Sequence, residues 1–535
     1  MLPAKPDLYR VALNRVTFGA RDTDVAAVTA SGWTAWVDDQ LHPPEGDDPQ
    51  LAAFLKTQAM HIEYAAADPA KTPKGTWAAV KEERPLNYIN ADIPTLWDIY
   101  TKSGTTFSYS ERFRIRQELT AATWIRNTHS KYQVREFMTD FWHNHFNIGK
   151  NENEGATALL PAYDRLTIRP NALGNFRTLL GATATAPSML LYLDNWISTA
   201  TTPNENYARE IMELHTLGGA AYYGTIPASS VPVANGVPLG FSDDDVLQAS
   251  RALSGWTIKG GQRSGNAKLA STGEFFYNSA QHNTKAGILL GVNFASLTAP
   301  MAQGEKFLDT IAAHPAATKL IVTKIAKRMF GDAPPQSVID RGIAVWTASQ
   351  TAPDQIARTL RAMIHDGSNE IFNTPVTKVR RPYERLIALA RTTDMTVNAA
   401  TTMTSLLDSL NDGLFAWQAP NGRPDANGYW LATGAMVSTW NYLLQLPFFK
   451  EIKTSLSDQT PESASKSATG VVEYWVERMV GMALSDAAIN ALIAEQAGKS
   501  GIPNLLLKKS SATTIENAYK RLVSLIATSE EFSLR

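Results

Sequence analysis

The chain is expected to be mostly α, a large multi-helix single body with a small β-meander excursion around 255–292. Three observations predict this. Apolar residues recur at three- and four-residue spacing along most of the 535 residues. Helix start and stop signals coincide with several of those segments. Short apolar runs between glycine- and asparagine-rich turns gather in one place only.

The helical pattern covers 8–18, 22–30, 93–102, 110–127, 131–145, 172–184, 303–330, 336–349, 353–366, 376–391, 400–410, 468–480, 484–496 and 514–527. Ser242 followed by Asp243-Asp244-Asp245 reads as a capping arrangement opening a helix that runs to Leu253, with Gly255 past its end. The exception is 255–292, where Trp256–Ile258, Glu274–Tyr277 and Gly287–Leu290 read as short strands. Residues 220–241, rich in glycine and proline, and 454–468, rich in serine and threonine, read as long surface loops. Neither marks a domain boundary, so 1–535 is read as one helical domain in which 220–300 forms a loop and β-meander excursion.

Composition works by exclusion. With 50 Lys and Arg against 51 Asp and Glu, the formal charge of −1 lacks the basic excess of nucleic-acid partners. No apolar run reaches 18 residues, so no membrane span is expected. The chain has no cysteine, which removes disulfides, thiolate metal sites and a cysteine nucleophile. That absence fits an extracytoplasmic protein, and Met1 to Pro6 carries no signal peptide. Motifs such as His-Glu-X-X-His, Gly-X-Ser-X-Gly, Gly-X-Gly-X-X-Gly and a complete phosphate loop around Gly498-Lys499-Ser500 are missing, which argues against the common metalloprotease, α/β-hydrolase and nucleotide-dependent classes.

Two segments concentrate chemistry: Phe141-Trp-His-Asn-His-Phe146, and Pro203 to Gly219. Polar groups at this density beside bulky apolar ones are costly unless paired or used. On a helix over about 203–217, Asn206, Arg209, Glu210 and Glu213 fall within roughly a 100° sector. Such a sector is either a solvated face or the lining of a cleft. Thr202-Pro-Asn-Glu205 also fits a capping box, which gives Glu205 a structural explanation beside its catalytic one.

His143 and His145 point about 200° apart on a helix but to the same side of an extended segment. If the helix ends near His143, the two imidazoles converge and, with Glu210, Glu213, His215 or His282, could hold a divalent metal such as Zn, Mn or Fe. The structural alternative is a pair of core histidines bonded to backbone.

Asp194 opposite Glu210 or Glu205 would give the two carboxyl groups needed for glycosidic hydrolysis. Trp142, Trp196 and Trp256 stand beside the polar motifs, and Trp417 and Trp430 follow later in the chain. Indole faces can stack on sugars, although core packing explains them as well.

The residues Asn14-Arg-Val-Thr-Phe-Gly-Ala20, Phe141–Phe146, Leu190-Leu-Tyr-Leu-Asp-Asn195, Asn204–Gly218, Asp245 with Arg251-Ala-Leu-Ser-Gly-Trp256, Gln281-His282 and Ala527-Thr-Ser-Glu-Glu-Phe532 occur in order through nearly the whole chain. In this the chain resembles the bacterial domain-of-unknown-function 1800 family. The resemblance implies one large helical unit, export from the cytoplasm, and a partner protein of a sulfatase-like family encoded nearby. It implies no mechanism. The stretch Gly219–Phe241 departs from the family by being longer and looser.

Three readings result. One is an exported hydrolase acting on a carbohydrate polymer or glycoconjugate by acid–base chemistry, with Glu210, Glu205, Asp194, His143 and His145 as catalytic candidates. In it Asn206, Arg209, Trp142, Trp196, Trp256 and His282 bind substrate. The second is a metal-dependent hydrolase or oxidase built on His143, His145, Glu213 and His215. The third is a non-catalytic binding or assembly protein.

Overall fold

The computed structural model describes residues 2–3, 7–149, 153–264, 267–365, 369–498 and 511–535. The chain is 57% helical, and among the described residues the strands form only small two-stranded sheets, so the protein is mostly α. Buried apolar residues from Ala12 to Phe532 make one contiguous cluster. Among the described residues no helix is long and apolar enough to cross a membrane.

The centre of the body is the helix Tyr109–His129, buried along most of its length, with Gln133–His145 and Pro382–Thr392 beside it. Most helices begin and end within a few residues of the apolar pattern. Two differences have local causes. The 303–330 pattern is two helices, Ala302–Ala313 and Pro315–Phe330, because Pro315 cannot continue the ladder and the His314 ring accepts from the Ala316 amide at 3.1 Å to start the second. The 376–391 pattern becomes helical only at Pro382, since the residue before a proline avoids the α region. The upstream Val379 instead bridges to Leu534, which ties the C-terminus to the core.

The expected box at Ser242 forms, with the Ser242 amide donating to Asp245 at 3.0 Å at the head of Asp243–Leu253. Around 255–292, Trp256–Gly260 pairs antiparallel with Ser271–Tyr277, but the third strand does not join them. Ile288–Leu289 pairs with Val292–Asn293 in a hairpin of its own, so the excursion is a set of hairpins and not a meander. The main hairpin is seated on the helix Ile93–Thr101, where the Trp97 indole donates to Ser271 at 2.9 Å. A second hairpin, Ala59–Tyr64 with Val80–Pro85, had no expected counterpart. Residue 366 of the 353–366 pattern, and Lys499 and Ser500, lie outside the described residues.

Candidate functional site

The helix Gln133–His145 continues through both histidines of the Phe141–Phe146 segment. On a continuous helix an i,i+2 pair diverges, and it does so here. His143 Nε2 lies 2.9 Å from Asp164 Oδ1, whereas His145 Nε2 donates to the His215 carbonyl at 3.0 Å on the other side. The convergence expected of a His-X-His metal pair is therefore absent. Among the described residues no three His, Asp or Glu side chains are placed to share a metal ion.

His143 sits in a small polar cavity of about 20 Å³, roughly the room one water needs. Asp164 opens a π-helical turn, Asp164–Ile168, an irregularity frequent at functional sites. Its carboxylate is flanked by Arg169 at 3.4 Å and Arg126 at 3.7 Å, and Arg169 is held in turn by Glu136 at 2.7 Å. Burial pushes the Asp164 carboxyl up, but Arg169, His143 and Arg126 outweigh it and hold it far below the usual carboxylate range. An ionised Asp164 accepts the Nε2 proton of His143, which leaves the Nδ1 lone pair free. Nδ1 has no hydrogen-bond partner among the described residues.

The cavity is roofed by the loop 410–418. Phe415 places its ring 5.0 Å from the His143 ring in an edge-on contact, although its backbone is left-handed at φ 57°. Asn411 in the same loop has φ 54°. Two non-glycine residues in this region within five positions are uncommon and cluster at functional sites. Beyond the loop lies an open groove of about 450 Å³ whose walls include Arg112, Phe113, Thr401, Thr404 and Ser405. Arg116, in the groove wall, donates to the Leu414 carbonyl at 3.2 Å, and Leu414 lines the His143 cavity. Arg116 thus ties the loop that roofs the cavity to the wall of the groove.

The two chemistry-rich segments do meet, through His145 and His215, but in the core. Phe146 packs against the His215 ring at 5.0 Å, and both histidines are buried. Burial, then the charge of Lys324, lowers His215 to about 3 and holds His145 well below its ordinary value. Both rings are neutral and structural in position. The acidic helix, Glu205–Glu213, is capped by Asn204, whose side chain accepts from the Tyr207 amide at 3.0 Å. Pro203 precedes that cap, so the Thr202–Glu205 box does not form.

Glu205 and Asn206 are exposed, and Arg209 pairs with Asp243 at 3.0 Å and stacks on Tyr222. Glu210 and Glu213 are half-buried. Burial and then Glu213 raise the Glu210 carboxyl. None of these residues lines the His143 cavity.

The expected aromatic platform is dispersed. Trp142 and Trp256 are fully buried; the Trp142 indole donates to Ala172 at 2.9 Å, and Gly304 lies against the Trp256 ring. Neither can stack on a ligand. Trp196 is half-buried beside the main hairpin, and His282 Nδ1 donates to the Ser254 carbonyl at 2.9 Å. Asp194 is a left-handed residue (φ 58°) on the surface, whose carboxyl is raised by partial desolvation.

A family model described as "Protein of unknown function (DUF1800)" matches residues 11–534. The chain belongs to the DUF1800 family. Among curated proteins and among solved structures, nothing matches it.

In this DUF1800 chain the residues missed by sequence reasoning are mainly charged groups inside the body. Asp140 accepts from Arg328 at 2.8 Å, Arg381 at 2.5 Å and Arg423 at 3.2 Å. Glu384 pairs with Arg535 at 3.3 Å and with Arg328. Burial raises the Asp140 carboxyl, but the three guanidiniums overcome it and set it at about 2. The signal was present in Arg380-Arg381-Pro382-Tyr383-Glu384-Arg385, where charged groups crowd the start of a buried helix, and in Asp164 one turn before Arg169. A single residue of each type gives no spacing to read, which is why Asp164 was not paired with His143.

Proposed function

We propose that the protein is an acid–base hydrolase in which His143, oriented by Asp164, activates a water in the adjoining cavity. The observation that carries this reading is the 2.9 Å contact of His143 Nε2 with a carboxylate that two arginines keep ionised. Such a partner fixes the imidazole's tautomer and stabilises the imidazolium that forms when Nδ1 takes a proton. The proton leaves water, the hydroxide oxygen forms the new bond, and the imidazolium returns the proton to the leaving group.

A hydroxyl-rich polymer, a carbohydrate or glycoconjugate, is the substrate class that fits the outer groove. Thr401 and Ser405 offer hydroxyls, the Arg112–Glu154 and Arg116–Asp408 pairs offer a polar wall, and Phe113, 57% exposed, offers an apolar face. Because the inner cavity holds only about a water, the 410–418 loop must lift before a scissile bond reaches His143. An extracytoplasmic setting is supported by the cysteine-free sequence.

The test is release of reducing ends from a panel of polysaccharides by the wild type and by His143→Gln. Turnover by the wild type and its loss in a folded His143→Gln protein is the expected result. Undiminished turnover in that variant would rule the reading out. Saturable binding of a polysaccharide with no turnover by the wild type would favour a non-catalytic binding protein.

A further inference from the structure

Beyond Asp140, on the face of the Gln133–His145 helix that carries Asn144 and His145, lies a second cavity, of about 60 Å³, between that helix and Pro315–Phe330. Its lining includes Asn144, His145, Lys324, Lys327, Arg328 and Asp425. The charges do not balance locally. Asp425 is engaged by Lys378 at 2.8 Å, and the Asp140 carboxylate is consumed by Arg328, Arg381 and Arg423. Asn144 is spent on the Arg423 backbone, as acceptor at 2.7 Å and donor to its carbonyl at 3.0 Å.

Lys324 and Lys327 remain, one turn apart on one helix face, and neither makes an ion pair among the described residues. Like charges so placed repel. The one hydrogen bond of the Lys324 amine goes to His145 Nδ1 at 2.9 Å, which uses one of its three protons. Arg328 also has its Nε buried without a hydrogen-bond partner among the described residues.

We propose that this cavity binds an oxyanion, a phosphate, sulfate or carboxylate group, held by the Lys324 and Lys327 ammonium groups. The space, larger than the water-sized His143 cavity, admits one such group. An anion would complete the missing half of the Lys324 environment, where His145, the buried His215, Lys327, Arg328 and Arg381 supply no negative charge and Asp140 and Asp425 are already paired. In its absence burial lowers the Lys324 ammonium to about 8, with Asp425 opposing only in part. Binding therefore takes up a proton when the pH is near or above 8. The proposal does not rest on the His143 reading, although Asp140 lines both cavities.

The experiment is calorimetric titration of the full chain with inorganic phosphate at pH 8.5, at constant ionic strength, in two buffers of different ionisation enthalpy. Saturable binding with net proton uptake is expected. Lys327→Gln should weaken it about tenfold, and Lys324→Gln should abolish both binding and uptake. Glucose 6-phosphate, run in parallel, distinguishes a free anion from one carried on a larger molecule: preference for the ester marks the second source, and exclusive binding of the inorganic ion marks the first. Absence of saturable phosphate binding by the wild type, or wild-type binding by Lys324→Gln, overturns the proposal. Should Lys324→Gln fail to fold, unchanged affinity in Lys327→Gln together with no proton uptake by the wild type overturns it equally.

Discussion

His143 and His145 stand back to back on the last turn of one helix, the first bonded to the Asp164 carboxylate at 2.9 Å and the second to the His215 carbonyl at 3.0 Å. A two-residue spacing thus serves two compartments. His143 meets charge and a water-sized cavity; His145 meets the core and, through its other nitrogen, the Lys324 amine.

The first prediction concerns Asp164→Asn. The amide cannot hold the Nε2–H tautomer as a carboxylate does, so turnover should fall on the order of 10³–10⁴-fold through kcat, with KM little changed. It also removes a carboxylate from between Arg169 and Arg126, and loss of one partner from a buried ion cluster costs about 3–5 kcal/mol. Denaturant unfolding of the variant measures that loss. A kcat equal to wild type would show that Asp164 serves only the fold.

Stability should decline on acidification from about pH 6.5, well above the usual carboxylate range. His129 is lowered to about 4 by burial and then Arg21, His215 is lowered to about 3, and His145 is held well below its ordinary value by burial. A base whose folded pKa is depressed contributes stability above its unfolded value, near 6.5, and loses it as the pH falls toward the folded one. Glu118, raised to about 7 by burial against the pull of Arg114, acts in the opposite sense between about 4 and 7. Four lowered imidazoles, His314 with them, favour proton binding by the unfolded state, and the raised carboxyls of Glu118, Glu210, Asp194, Asp245 and Asp412 oppose it; near pH 6.5 the imidazoles dominate, at about 1.4 kcal/mol per pH unit for each net proton. Asp140, at about 2, adds its loss between pH 4 and 2. Urea midpoints from pH 8 to 3 check the slope, and a flat profile between pH 6.5 and 4.5 would contradict it.

The fold class was legible because amphipathic periodicity survives in a single sequence, and Gln336–Ala348, Ala468–Met479 and Ala512–Ala527 lie close to their patterns. The hairpins around 255–292 were harder, since Ile288–Leu289 and Val292–Asn293 pair only with each other and two-residue strands carry no period. The site was half legible. His143 stood out by composition, but its partner lies 21 residues on, and no helical or strand spacing links them. Trp142 and Trp256 misled because an indole beside polar residues in sequence is not beside them in space; both fill the core. The acidic sector at 206–213 is real as a helix face, yet Glu205 and Asn206 look outward.

Gly149→Ala tests how the site's two loops are joined. A Cβ at Gly149 would lie 1.6 Å from the Trp417 carbonyl oxygen, a backbone atom that cannot rotate away. Asn147 reinforces the junction by donating to the Trp417 carbonyl at 2.9 Å and to the Ala419 carbonyl at 2.8 Å. The variant must push the 410–423 segment off the body, at a cost of about 3 kcal/mol or more. Thermal unfolding together with amide exchange over 410–423 reads the effect. Wild-type stability and protection would mean that the segment is already loose in solution.

Phe415→Gly tests the roof over His143. The left-handed backbone at φ 57° costs a phenylalanine about 1–2 kcal/mol and a glycine almost nothing, so the substitution relieves strain. It also deletes a buried ring, worth about 3–5 kcal/mol in a packed site. The second effect is larger, so the protein should lose roughly 2–3 kcal/mol in net stability. Removing the ring that lies 5.0 Å from His143 opens the cavity toward the groove side of the loop. Carbethoxylation of His143, followed by peptide mass spectrometry, should then be several-fold faster than in the wild type, while the core-buried His145 stays unmodified. Equal rates for His143 in both proteins would show that Phe415 does not control access, and that any substrate reaches the imidazole by another route.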